Sequence, residues 1–139
     1  PWQTSVRTDA NRYGFATTAR DLARFGILML ANGNWEKKKV IEDKAYLKAA
    51  TSSSTKLNPS YGYLWWLNSG PTVVRAGGIT RPGRLFSNAP RDMYAAQGKL
   101  GRKLLVLPKE QLVITRLGDQ SGNSFNFEFF KRLRLAKGK

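Results

Sequence analysis

The chain contains no cysteine and no histidine. Without cysteine it has no disulfides, no thiolate nucleophile and no thiolate metal ligand. Without histidine, neither a Ser-His-Asp triad nor a His-ligated zinc site can be assembled from these residues. Acidic residues are scarce too: nine Asp and Glu stand against 24 Lys and Arg, too few and too scattered for a carboxylate metal cage. Neither a metal nor any other cofactor is expected, and any proton carrier must be Lys, Tyr or a carboxylate. No apolar run approaches the roughly 20 residues of a membrane-spanning helix. Pro1-Trp2-Gln3 opens no basic-then-apolar targeting segment, so a chain soluble as it stands is expected.

What is present is a basic chain of 139 residues, 41% apolar and well supplied with aromatics, enough for a modest core in a single domain spanning residues 1–139. Its formal net charge of +15 fits attraction to phosphates, to anionic polymers, or plain solubility. Lys37, Lys38 and Lys39 form one cluster; Arg75, Arg81, Arg84 and Arg91 are spread along another stretch; Lys131, Arg132, Arg134, Lys137 and Lys139 crowd the end. No nucleic-acid motif accompanies them, and the aromatics fall in apolar strands rather than between cations. A solvated basic surface is therefore expected, not a nucleic-acid interface.

In chain order, residues 1–13 are polar, turn-rich and expected to be extended. Thr18 followed by Asp21 resembles a capping box, and Leu22, Phe25, Gly26 and Met29 then share one helical face until Asn32-Gly33. Glu42 to Ala50 predicts a shorter helix, with acidic residues at its start and Lys48 near its end. Thr51 to Thr55 is loop, and Pro59 bars its continuation as helix. Tyr61 to Leu67, dense in aromatics, predicts a buried strand ending in the turn cluster Asn68-Ser69-Gly70-Pro71. Residues 75–91, rich in glycine, proline and arginine, predict a surface loop. Three half-buried strands follow within 92–118, with Lys-x-Gly in the first and Pro108-Lys109-Glu110-Gln111 turning between the last two. Ser121 to Ser124 begins a terminal helix whose stripe of Phe125, Phe129 and Leu133 predicts packing on the sheet.

The stretch DMYAAQGKLGRKLLVLPKEQLVITRLG, residues 92–118, resembles the closing strands of the serine β-lactamase and penicillin-binding-protein family, in particular its class C-like esterase and peptidase branch. GFATTARDLARFGILMLANGNWEKKKVI, from Gly14 to Ile41, resembles that family's glycine-led turn, helix and Asn-Gly-x-Trp exit. NPSYGYLWWLN, from Asn58 to Asn68, resembles the strand after its second short helix. The three matches run in the family's order.

The resemblance implies an α+β, β-lactamase/transpeptidase-like architecture: an antiparallel sheet, a packed C-terminal helix and two helices of the helical region. It implies that residues 1–139 are the C-terminal segment of a serine hydrolase forming an acyl-enzyme with an ester, amide or β-lactam. That enzyme would be periplasmic, in the cell envelope or secreted. The missing N-terminal portion would be this chain's partner and would carry the nucleophilic serine, lysine and tyrosine. Lys99, Leu100 and Gly101 match the triplet beside the nucleophile: Lys99 would organise the catalytic hydroxyls, Gly101 allow close approach, and the backbone N–H of Arg102 form half of an oxyanion hole. Leu100 replaces the hydroxyl residue of β-lactamases, which favours the esterase or peptidase branch. Leu100 and Tyr63 would face substrate. Pairing of the last strand, Leu112 to Gly118, with absent strands would leave an open edge prone to self-association.

Two motif copies are set aside. Ser53-Ser54-Thr55-Lys56 satisfies Ser-x-x-Lys, but Leu57-Asn58-Pro59 follows at once and denies it the buried helix that puts serine and lysine on one face. Ser121-Gly122-Asn123 satisfies Ser-x-Asn but follows Lys-x-Gly instead of preceding it. Arg20 and Asp21 are expected to carry helix-start charge and an ion pair. The alternatives to a hydrolase segment are a non-catalytic binding or complementing module and a basic module that associates with anionic polymers.

Overall fold

Thr18 begins the first helix as its chemistry requires. Its hydroxyl oxygen accepts the N–H of Asp21 at 3.1 Å, and α1 runs over Ala19–Leu30. Asp21 pairs with Arg24, one turn on, and not with Arg20. Past Leu30 the chain turns through Asn32 and Gly33, both at positive φ, where the Gly33 N–H closes back on Leu28 O at 2.9 Å. The computed structural model describes residues 2–7, 10–120, 122 and 124–138. Ahead of α1, the strands β1 (Trp2–Arg7) and β2 (Ala10–Phe15) pair antiparallel. After it, β3 (Asn34–Trp35) and β4 (Lys38–Lys39) make a small hairpin that displays the lysine cluster to solvent. The second helix, α2, spans Lys44–Ala50, and Asp43 caps it by accepting the Tyr46 N–H. The basic residue in its last turn is Lys48, as the helix dipole favours.

The predicted strand from Tyr61 to Leu67 is broken. Gly62 N–H bonds to Trp65 O at 2.8 Å, Leu64 sits at φ 64, and only β5 (Trp66–Leu67) joins the main sheet. The chain folds back on itself there, with Tyr61 bridged to Trp66. The surface loop predicted over 75–91 is likewise corrected. β6 (Thr72–Val74) and β7 (Thr80–Pro82) pair as a hairpin, and Leu85, Phe86 and Ala89 enter the core. What draws them in is Asn68, fully buried, whose amide donates to the carbonyls of Phe86, Ala89 and Pro90 and whose oxygen accepts the Phe86 N–H. A single polar side chain thus satisfies a loop that composition alone assigns to the surface.

The three predicted strands are present as β8 (Tyr94–Gln97), β9 (Lys103–Leu107) and β10 (Leu112–Arg116), and the four-stranded antiparallel sheet runs β10-β9-β8-β5. The half-buried expectation fails for β9, which is buried at all five positions because both faces of the sheet are covered. On one face Met29 of α1, Leu47 of α2 and Trp65 of the turn before β5 pack with Tyr94, Leu104 and Val106. The approach is close: a Cβ on Gly26 would lie 2.5 Å from Val113 Cγ1. On the other face α3 (Phe125–Lys137) lies beside the 85–89 segment over Ala95, Leu105 and Leu107. Its core residue is Phe130, 3% exposed, with Phe129 and Leu133 half-buried beside it, so the stripe is rotated and Phe125 falls at its edge. The protein is α+β, with antiparallel sheets and a C-terminal helix. β10 is an edge strand of its sheet. No helix among the described residues is long and apolar enough to cross a membrane.

Candidate functional site

Lys99-Leu100-Gly101 does not lie in a strand, as predicted, but forms a single 3-10 turn between β8 and β9. The Gly98 N–H donates to Arg102 O at 2.9 Å, and the Arg102 N–H reaches Lys99 O at 3.4 Å. A hairpin this tight needs left-handed backbone, which Gly101 supplies at φ 71 without penalty. Leu100 supplies it too, at φ 63, where a side chain with a Cβ costs roughly 1–2 kcal/mol. Such strain persists only when the surroundings impose it.

Two side chains impose it. Arg116 Nη1 donates to Leu100 O at 3.3 Å and to Gly101 O at 3.2 Å, and Lys103 Nζ donates to Gly101 O at 3.0 Å. Both cations lie near the ring of Phe125, Arg116 with its Cζ 5.2 Å and Lys103 with its Nζ 6.0 Å from the centroid. Burial, and then the neighbouring Arg116, pull the Lys103 ammonium below the usual lysine range. Neither residue stood out as a candidate in the sequence. The signal was the parity of the strands: Lys103 alternates with Leu105 and Leu107, and Arg116 with Leu112 and Ile114, which puts both on the α3 face.

Other elements converge on the same end of the sheet. Thr115 Oγ1 donates to Ala19 O at 3.2 Å, tying the start of α1 to the end of β10. Trp66 pairs with Ala95 antiparallel, so the turn before β5 lies beside the end of β8. Tyr63 is in that turn, 48% exposed, with its ring 6.2 Å from Tyr46 of α2. The structure therefore brings Lys99, Leu100, Gly101 and Arg102 together in one turn and sets Tyr63 at the same sheet end, facing α2. The side chains of Lys99 and Arg102 are exposed.

The Ser53–Lys56 copy lies in an exposed loop, where Ser53 Oγ donates to Thr55 O and no helix forms. Ser121 and Asn123, the ends of the other copy, lie outside the described residues. Among those residues no group of three or more His, Cys, Asp or Glu could hold a metal ion. The arrangement offers backbone donors on a cation-braced turn.

No protein-family model matches the chain. It is similar to an uncharacterized protein of Alkalihalophilus pseudofirmus, 25% identical over an alignment of 137 residues that covers 96% of this chain. The chain spans 38% of that relative's length.

Proposed function

We propose that this chain is the C-terminal segment of a β-lactamase-related serine hydrolase, supplying the oxyanion strand and one wall of the cleft and inactive alone. The observation that carries this reading is the braced Lys99–Arg102 turn, set at the end of the sheet where the start of α1 and the aromatic turn before β5 also meet. The Arg102 N–H is the donor with capacity to spare. At 3.4 Å its bond to Lys99 O is longer than the usual 2.7–3.2 Å, so a developing substrate oxyanion could take it over at little cost. Lys99 would add positive charge at the mouth, and Tyr63 an aromatic wall. Leu100 in place of a hydroxyl residue favours an ester or peptide substrate over a β-lactam. The nucleophile and its proton carriers would come from an N-terminal portion of a longer, exported chain. The relative's greater length is in keeping with that division.

Fluorophosphonate and penicillin labelling of this chain and of the longer protein tests the reading. A stoichiometric adduct on the longer form and none on this chain are expected. An adduct on Ser53 here, abolished by Ser53→Ala with the fold intact, would overturn the claim that the segment is inactive. A folded longer protein that takes no label would leave a binding or complementing module in its place.

A further inference from the structure

At the opposite end of the sheet from the Lys99–Arg102 turn, where β8 begins and β9 ends, a cleft of about 400 Å³ opens between α1, α2 and the sheet. That volume falls within the roughly 300–1,000 Å³ of small-molecule sites. Its floor is apolar and firmly built: Met29 and Leu47 are 6% exposed and Tyr94 8%. Its rim carries Lys44 and Lys48, one turn apart on α2. They repel each other at that spacing, and the two ion pairs among the described residues, Asp21–Arg24 and Glu110–Lys137, involve neither. The rim carboxylate, Asp92, already accepts the Lys109 N–H at 2.8 Å. The cleft therefore presents an apolar floor under two lysines and one carboxylate, Asp92, and no ion pair among the described residues joins that carboxylate to either lysine.

We propose that this cleft binds a small organic carboxylate, its aliphatic or aromatic body on Met29, Leu47 and Tyr94 and its head between Lys44 and Lys48. The apolar body supplies the affinity by leaving water, and the lysines select the charge, because an anion between them relieves their mutual repulsion. Tyr94 has a neutral hydroxyl at physiological pH, as a tyrosine of ordinary pKa also has, so the floor itself does not repel an anion. Nothing in this assignment depends on the hydrolase reading.

Octanoate is the probe, with octanamide as its neutral isostere, followed by amide chemical shifts and calorimetry on the whole chain. The expected result is saturable one-to-one binding of octanoate with shifts at Met29, Leu47 and Tyr94. Octanamide should bind about tenfold more weakly or less. The exposed double substitution Lys44→Gln/Lys48→Gln should cost octanoate a similar factor. The charge-matched Lys37→Gln/Lys38→Gln, on the β3–β4 hairpin, should change it less than about twofold. No saturable binding, equal affinity for octanamide, equal loss in both double variants, or shifts centred elsewhere would each overturn the site.

Discussion

Lys103 and Arg116 stand directly opposite one another across β9 and β10, two cations on one face of the sheet, and neither belongs to an ion pair among the described residues. Like charges in that position destabilise a sheet. Here they are turned onto the carbonyls of Leu100 and Gly101 and sit by the ring of Phe125, so the pair acts as a clamp on the β8–β9 turn.

The clamp has a testable cost. Lys103→Met keeps the packing of the side-chain stem and removes a charge that burial disfavours. The expected change is between zero and about 1 kcal/mol of added stability in urea unfolding. The pH dependence has a definite sign. Because the folded-state pKa of Lys103 is lowered, the unfolded chain holds the proton more tightly between that value and the ordinary 10.5. Wild type should therefore gain stability relative to Lys103→Met as pH rises through that window. A flat difference would mean that the ammonium is not desolvated.

Tyr94 gives the opposite slope. Its folded pKa of about 12 lies above the ordinary 10, so between these values the unfolded chain ionises and the folded chain does not. Wild type should lose stability on the order of 2 kcal/mol across that interval relative to Tyr94→Phe. Paired urea titrations from pH 9 to 12 would measure it.

Asn68→Ala should cost about 3 kcal/mol or more, because it strands the carbonyls of Phe86, Ala89 and Pro90 and the Phe86 N–H inside the core. Hydrogen exchange should show the Phe86 amide opening first, ahead of amides in β9.

Gly26→Ala opposes two effects. Helix propensity favours alanine by about 1 kcal/mol. The added Cβ would meet Val113 Cγ1 at 2.5 Å and Leu104 Cδ1 at 2.7 Å, however, and α1 cannot retreat without opening the core. Overpacking should prevail, with a net loss of about 1 kcal/mol in thermal or urea unfolding.

For the proposed hydrolase, Lys99→Ala in the longer protein should slow acylation, while Lys109→Ala, in the turn between β9 and β10, should leave it unchanged. Single-turnover labelling rates would separate them. Equal effects would reduce Lys-x-Gly to a common tripeptide.

Elements specified by local chemistry were legible in the chain. The Thr18 cap, the Asn32-Gly33 exit and the closing strands needed only residue type and spacing, while the second helix, expected from Glu42, starts at Lys44 behind the Asp43 cap. What misled was segment composition. Aromatics in a row read as one strand over Tyr61 to Leu67, but the chain turns back at Gly62, and only Trp66 and Leu67 pair with the main sheet. Glycine, proline and arginine read as surface over 75–91, yet Asn68 holds the end of that segment inside.

The candidate site divides the same way. Lys99, Gly101 and Arg102 were named through a family resemblance that set Lys-x-Gly inside a strand, whereas the structure places them in a tight turn between β8 and β9. Lys103 and Arg116 could not be named, because a cross-strand pair exists only once register is set, and register is decided by the apolar faces that α1 and α3 bury. Sequence by itself determined the first helix and its exit, the second helix and the three closing strands, through dihedral preference, capping and apolar periodicity. Only the tertiary structure decided which faces are covered, and with them which charges are buried, because burial belongs to the packed layers and not to any one segment.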